Sequence, residues 1–353
     1  MVRMIISPGH PHGHGIRVAG MRSWILDEAP GQYRLGQIDL PSLGADDVQI
    51  RVRASALNHM DLWVTKGLPK PPLPHVPGCD VAGVVEAIGS EVTRVAVGDE
   101  VVVNPGVSPI EDIVALGNDS PMGDGFMIYG EHCWGGHATF AIAPSRNVYA
   151  RPANRSWEES AAYPLAYLTA YRMLRRGRLR PGQTVLVVGI GGGVSTAALA
   201  LARHMGANVV VTSRSEAKRN EALSMGADAA FDSADAKWPV QADVVIESVG
   251  PATWDQSVRS LKPGGRLVVC GGTSGPKVEI NLPRLFFKQH EMIGSSMGSY
   301  EEFAEVTRLI DAGVPVHIDR TYPLDQYDQA LERLTQGEQL GKIVLTHPQG
   351  GDE

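Results

Sequence analysis

The rhythm of hydrophobic and polar positions changes partway along the chain. In the first part it is the rhythm of strands. Val48–Val52 alternates apolar and polar residues, as a strand with one buried face does. Val81–Val85 and Val101–Val103 are Val-rich runs separated by turns such as Gly98-Asp99, and Met21 opens a further strand-like segment. Together they predict an irregular, mostly antiparallel β region. Near residue 156 the texture changes. Ser156-Trp157-Glu158-Glu159 has the form of a capping box, predicting a helix through Ala161–Arg175. From 184 onward strand and helix alternate: strand Val185–Val188, helix Val194–Met205, strand Val209–Val211, helix Glu216–Ser224, then strands at Val244–Ile246 and Arg266–Val269. Short, continuously apolar strands between helices predict a parallel sheet covered on both faces. Beyond 298 a helix over Tyr300–Ala312 is opened by Ser299 with Glu302 three residues on. A second helix and the strand Ile343–Leu345 close the chain and are expected to return to the first domain.

Bulk properties narrow the classes. A chain of 353 residues exceeds what one core usually serves, so two domains are expected. A net charge of −7 provides no basic field for nucleic acid or an anionic membrane. No apolar run reaches the roughly 18 residues that span a bilayer. The N-terminus lacks the apolar core of a signal peptide. The three cysteines, Cys79, Cys133 and Cys270, are too few for a disulfide framework and fit a reducing cytoplasm. Residues 1–20, with His10, His12 and His14 among Gly and Pro, read as a flexible extension.

The most informative segment follows the strand Val185–Val188. It runs into Gly189-Ile190-Gly191-Gly192-Gly193-Val194-Ser195, which opens a helix. Glycines permit a tight turn and a close approach of backbone to a pyrophosphate, and the helix start offers free N–H groups and a positive dipole end. Strand before and helix after make this a dinucleotide site, with Gly191, Gly192, Gly193 and Val194 at the phosphates. Sites for NAD usually carry an acid about 20 residues further on, for the ribose 2′-hydroxyl. Here that stretch is Thr212-Ser213-Arg214-Ser215, with no acid, and Lys218 lies one helical turn beyond. Ser213, Arg214 and Lys218 suit a 2′-phosphate, so the expected cofactor is NADPH.

With these residues in place the chain, from about Met21 to its end, resembles the medium-chain dehydrogenase/reductase superfamily. The resemblance rests on Pro77-Gly78-Cys79-Asp80-Val81-Ala82-Gly83-Val84-Val85, Val97-Gly98-Asp99, Gly136–Ala143 with Pro144, Leu168-Thr169-Ala170-Tyr171, Gly226-Ala227-Asp228 and Gly341-Lys342-Ile343-Val344-Leu345. It implies an α/β fold: a doubly wound parallel Rossmann sheet over 156–297, and a GroES-like irregular β domain over 21–155 and 298–353. A homodimer is implied, with the active site between the domains. Zinc-dependent members hold the metal with Cys, His and Cys. Those positions fall here on Asn58, Cys79 and Leu165, and the usual proton-relay hydroxyl falls on Met60. The lobe that carries four cysteines for a structural zinc corresponds to Pro105–Tyr129, which has none. Both zincs are therefore expected to be absent. The group Glu131-His132-Cys133 with His137 is read as surface and packing residues.

The zinc-free branch resembles quinone oxidoreductases and enone reductases. Hydride goes there to an activated C=C or a quinone, and the resulting anion needs only hydrogen-bond donors and a proton. The expected substrate is a small carbonyl compound, enone or quinone. Asn58, His59 and Tyr167 are the candidate catalytic donors, with the nicotinamide ribose as the alternative partner of Asn58 and the cofactor phosphate, or packing, as the alternative for His59. Asp61 is expected to be structural, and Tyr163 is a weaker candidate donor. The resemblance also places Thr169 and Lys342 at the cofactor; Gly271, Gly272 and Thr273, which follow the strand ending at Cys270, are expected there as residues at a strand C-terminus, and Ser296 and Met297 are expected beside the nicotinamide. Leu57, Trp63, Phe126, Met127, Phe286 and Phe287 are candidates for an apolar pocket. An alcohol or aldehyde oxidoreductase of the same superfamily, and a cofactor-binding protein without turnover, are the alternatives.

Overall fold

Residues 47–56 alternate between buried and half-exposed, and the strand they form organises the first half of the molecule. The computed structural model describes residues 20–348. The extension expected over 1–20, with its three histidines, thus lies almost wholly outside the described residues. The strands of the first half are β1 Met21–Leu26, β2 Tyr33–Ile38, β3 Asp47–Ala56, β4 Asp80–Ile88, β5 Glu100–Val103, β6 Gly106–Val107, β7 Met127–Ile128, β8 Phe140–Pro144 and β9 Val148–Ala150. Two helices interrupt them, α1 His59–Val64 and α2 Ile110–Leu116. The middle comprises helices α3 Trp157–Ala162, α4 Pro164–Arg176, α5 Gly193–His204, α6 Glu216–Ser224, α7 Trp254–Arg259 and α8 Leu282–Phe287. Its strands are β10 Thr184–Val187, β11 Asn208–Thr212, β12 Ala229–Phe231, β13 Ala242–Glu247, β14 Leu261–Val269 and β15 Glu291–Gly294. Helix α9 Tyr300–Asp311, β16 Ile318–Pro323, α10 Tyr327–Gln336 and β17 Lys342–Thr346 complete the chain.

Two sheets carry the architecture. The first runs β16-β17-β3-β4-β5-β9, with β8 pairing the Asp47–Arg51 end of β3 and β17 its Ala54–Ala56 end. Its strand β17 pairs antiparallel with β3, Val344 opposite Ala56, so the chain's last strand completes a sheet begun near its start. The second sheet is parallel throughout, in the order β12-β11-β10-β13-β14-β15. This is the doubly wound order of dinucleotide-binding folds. The strand order reverses between β10 and β13, and a crevice opens there beyond the C-terminal ends of the strands. Val185 and Val187 pack with Ala197–Leu201 of α5 and Leu168 of α4 on one face. Leu186, Val188, Trp238 and Leu267 pack on the other.

One expectation fails in an instructive way. The helix foreseen through Ala161–Arg175 is two helices. Ser156 caps the first as expected, its Oγ accepting the Glu159 N–H. The break falls at Tyr163 because Pro164 has no N–H to continue the ladder and instead starts α4 at its first position. Helix α3 then lies against β3, β4 and β17. Helix α4 is buried along most of its length and joins the two halves. On it, Arg172 donates to Glu302 on α9 (2.9 Å), to the Asn118 carbonyl (2.7 Å) and to Asp119 (2.8 Å).

Removing one partner of a buried ion pair strands the other charge. Substitution R172M is therefore expected to lower unfolding stability by about 3–5 kcal/mol, read from urea titrations followed by circular dichroism.

Candidate active site

The site starts at the end of β10. The Ile190 N–H donates to the Thr212 carbonyl (2.7 Å) and the Gly189 N–H to Thr212 Oγ1 (3.1 Å), tying the turn to β11. Gly192 is the N-cap of α5, whose first N–H groups have no carbonyl four residues back and point outward. Gly193 has a different task. A Cβ there would lie 2.6 Å from Lys342 Cδ and 3.2 Å from Ala166 Cβ, so glycine lets the helix pack on β17 and α4. The Gly341 N–H also donates to the Gly191 carbonyl (2.9 Å), which stitches the turn to the start of β17.

A cavity of about 810 Å³ lies between the two sheets. Gly191–Ser195, Ser213, Arg214, Lys218 and Ser233 line one end. Arg214 is exposed and has no ion-pair partner among the described residues. Lys218 donates to the Gly337 carbonyl (2.6 Å), and its pKa is lowered by burial, with nearby Arg214 among the further causes. Two cations and two hydroxyls thus meet with no carboxylate among the lining residues at that end. Thr169, Gly271, Thr273, Ser296 and Met297, expected at the cofactor, line the same cavity. Met297 is held at φ +50°, a left-handed conformation unfavourable for a long side chain, with its sulfur 4.0 Å from Thr169 Oγ1. Gly272, expected at the cofactor, lies beside the cavity and not in its lining. It belongs to a turn closed by the Gly275 N–H on its carbonyl.

Beneath the glycine turn is a buried polar cluster. Lys342 is 2% exposed, and its ammonium donates to the Leu57 carbonyl (2.6 Å), Asn58 Oδ1 (2.7 Å) and Asp80 Oδ2 (2.8 Å). All three of its protons are used within the protein. Lys342, expected at the cofactor, lines the cavity with its stem, while its charge serves Asp80. Asn58 is similarly occupied. Its Nδ2 donates to Asp80 Oδ2 (2.8 Å) and Cys79 Sγ (3.0 Å), which leaves no amide proton for a substrate carbonyl. The ammonium on Oδ1 and the carboxylate on Nδ2 fix the orientation of this amide. The other oxygen of Asp80 accepts the Leu165 N–H at the start of α4 (2.8 Å). The positions that hold catalytic zinc in the resembled family are thus filled by an amide, a thiol and an apolar side chain around an ammonium. This donor set does not fit a zinc ion. Among the described residues no three His, Cys, Asp or Glu side chains form a group that would hold a metal.

The candidate donors separate by position. His59 lines the cavity, with Cε1 4.0 Å from where a Cβ on Gly192 would lie, so it faces the phosphate turn. Burial foremost, then the Lys342 charge, lowers its pKa and keeps it neutral. Tyr167 is corrected. It is fully buried and donates to the Pro315 carbonyl (2.7 Å), on the side of α4 away from the cavity. Tyr163 is also buried, bonded to Thr307 (3.0 Å). Helical spacing alone does not tell which face of α4 looks into the cleft. Asp61 is structural as expected: its carboxylate accepts the Asn58 N–H (2.8 Å) at the start of α1.

Sequence reasoning missed Glu131. By sequence it groups with His132, Cys133 and His137 as surface and packing residues. That description holds for exposed His132, for Cys133 packed on the first core, and for His137 bonded to Ser55 (2.9 Å). Glu131 instead lines the cavity, and burial raises its pKa to about 7, the Asp61 charge adding to the effect. The only signal was an acid in a Gly-flanked loop far along the chain from the glycine turn. Of the apolar candidates, Leu57 and Trp63 line the cavity. Phe286 and Phe287 are 59% and 78% exposed on α8, and neither Phe126 nor Met127 lines it.

Removing the Lys342 charge leaves Asp80 buried and uncompensated. Substitution K342M is expected to cost about 3–5 kcal/mol in urea unfolding, and K342M/D80N is expected to recover part of that loss.

Comparison with known proteins follows the same lines. Residues 44–153 match the alcohol dehydrogenase GroES-like domain, and residues 193–312 match the zinc-binding dehydrogenase family. The chain is 31% identical over 329 residues to quinone oxidoreductase of Mus musculus, spanning 87% of this chain and 91% of that protein. A solved NAD-dependent alcohol dehydrogenase has a TM-score of 0.87 and 34% identity, covering 92% of this chain and 99% of that one. A crotonyl-CoA carboxylase/reductase in complex with NADP has a TM-score of 0.86 and 25% identity, covering 96% and 97%. With a glycine turn opening α5, a C-terminal strand returned to the first sheet and these matches over nearly its whole length, the chain belongs to the medium-chain dehydrogenase/reductase superfamily.

Proposed function

We propose that this protein is an NADPH-dependent reductase that transfers hydride to an activated C=C, as in an enone, or to a quinone, without zinc. The observation that carries the reading is the ammonium of Lys342, which sits among Asn58, Leu57 and Asp80 where the zinc-dependent relatives' ligand positions converge. A simple alkoxide would have no Lewis acid to stabilise it here. An enolate or hydroquinone anion spreads its charge and needs less help. Bound NADPH would supply the hydride. Gly191–Ser195 would hold its diphosphate, and Ser213, Arg214 and Lys218 its 2′-phosphate. His59, facing the glycine turn, joins the diphosphate side. The NADP in the related carboxylase/reductase and the quinone in the name of the mouse relative support this assignment. We place the protein in the cytoplasm on its sparse, unpaired cysteines. Among the described residues no helix is long and apolar enough to cross a membrane. A homodimer through the edge strand β15 is supported by the exposed Leu282, Phe286 and Phe287 of the preceding helix α8.

A second reading, an alcohol or aldehyde oxidoreductase, is favoured by the 34% identity to an NAD-dependent alcohol dehydrogenase. A third is cofactor binding without turnover. The cofactor is tested by fluorescence titration. NADPH is expected to bind at least about tenfold more tightly than NADH, and R214A to remove most of that difference. Equal affinities in the wild type would defeat the assignment. The reaction is tested by NADPH oxidation with enones, quinones and aldehydes, before and after dialysis against a chelator. Chelator-resistant turnover of enones or quinones is the expected result. Turnover of aldehydes alone favours the second reading, and tight binding without turnover the third.

A further inference from the structure

The cavity described above leaves the proton for the substrate unassigned. Asn58 has no free amide hydrogen, Tyr167 and Tyr163 face away, and His59 faces the glycine turn. Glu131 remains. It lines the cavity just past β7, where its backbone N–H donates to the Ile128 carbonyl (3.1 Å). It is 9% exposed, and its carboxyl has no hydrogen-bond partner among the described residues. Its immediate neighbour offers no proton to it. His132 Nδ1 is 3.8 Å from Glu131 Oε1, but that nitrogen accepts the Ile128 N–H (3.1 Å) and so presents a lone pair.

The groups around Glu131 favour its neutral form. From α1, Asp61 contributes a buried negative charge and His59 is neutral. From the segment before β4, His75 is driven down to about 4 by burial and donates Nε2–H to the Gly130 carbonyl (3.0 Å). The Cys79 and Cys133 thiols are pushed up by burial and stay protonated, as does the phenol of Tyr327 on α10. His137 lies against Asp61 at 3.7 Å. The one buried cation in the neighbourhood, Lys342 on β17, is held by Asp80 at 2.8 Å. Among the described residues no cation is paired with Glu131, and the charge that acts on it, that of Asp61, is of its own sign.

On this basis, and resting on the reading of the protein as an enone reductase, we infer that Glu131 is the general acid that protonates the substrate after hydride addition. Hydride addition makes a C–H bond at the β carbon, and the π electrons move toward the carbonyl to leave an enolate. The Glu131 O–H bond then breaks, its proton forms the new C–H bond at the α carbon, and the enolate electrons supply that bond. Glu131 is left as a carboxylate and recovers its proton from water through the open cavity. The sum is one hydride and one proton added across the C=C. A carboxyl titrating near 7 keeps about half of its population protonated at neutral pH, as this step needs, whereas an ordinary glutamate would be almost wholly ionised.

The test compares wild type with E131Q, which keeps the shape of the side chain and loses the acidic proton. Without any substrate, infrared titration is expected to show a protonated carboxyl band that disappears with a midpoint near 7 in the wild type and is missing in E131Q. In NADPH-dependent reduction of 2-methyl-2-cyclohexen-1-one, E131Q is expected to lose roughly 100-fold in kcat. The wild-type rate should fall as pH rises above about 7, and that fall should be absent in E131Q. The wild type should give one enantiomer at the α carbon, and E131Q a nearly racemic product as water delivers the proton. NADPH affinity should be unchanged. A carboxyl titrating at the ordinary value, or an E131Q enzyme that keeps the rate, pH profile and α stereochemistry, would overturn the role of Glu131 alone. A wild-type enzyme that reduces no enone would overturn the functional reading, and the proposal with it.

Discussion

The buried pair of Asp80 and Lys342 is the constraint on which the site depends. A carboxylate with no exposure is tolerated only if it is matched, and this one is matched by three elements at once. It accepts from Lys342 on β17, from Asn58 before α1 and from the first turn of α4. Through Lys342 the pair also sets the depth at which Gly193 packs, and so where α5 begins. The dinucleotide turn of one sheet is thereby held by a strand of the other. The same cluster removes Asn58 from substrate chemistry, because a fully bonded amide has nothing further to donate.

The local parts of this arrangement were legible in the sequence. The glycine turn after an apolar strand, the acid-free Thr212–Ser215 segment, the serine caps at 156 and 299 and the return of Ile343–Leu345 each rest on residues adjacent in the chain. What was not legible depends on direction and on distant partners. A tyrosine on a helix points to one side, and only the packing of α4 against 315–317 decides that Tyr167 points away from the cleft. Lys342 reads as a basic residue near a cofactor until its partners, Asn58 and Asp80, are seen. Glu131 reads as a surface acid until burial and Asp61 are placed around it. The break at Tyr163 was present in the sequence, since Pro164 cannot accept the place given to it in a continuous helix. The short strands Ala229–Phe231 and Glu291–Gly294 carry too few residues for a periodic signal and are fixed by their neighbours in the sheet.

The cavity divides its work between the two halves of the chain. The parallel sheet presents backbone donors, hydroxyls and two cations, which are the means of binding an anionic dinucleotide. The first half of the chain presents a wall of Leu57, Met60, Trp63 and Ile128 with one acid, Glu131. Such a wall discriminates weakly among small apolar ketones by shape, because one methylene in an apolar pocket changes binding by only about 1–3 kcal/mol. Under the proposed reaction, breadth of substrate is the expected property of this construction, and the chemistry would be set by which compounds can accept a hydride.

The pairing of Val344 with Ala56 also bears on biosynthesis. A ribosome releases β17 long after β3. At about 5–20 residues per second the edge of β3 stays open for roughly tens of seconds, while the parallel sheet between them is already able to form. During that interval Lys342 has not arrived, and Asp80 must keep company with water. The nascent chain therefore holds a half-built sheet with an unpaired strand edge, the kind of surface that chaperones recognise. Vectorial synthesis makes the last dozen residues of the described chain the ones that close both the sheet and the cofactor cleft.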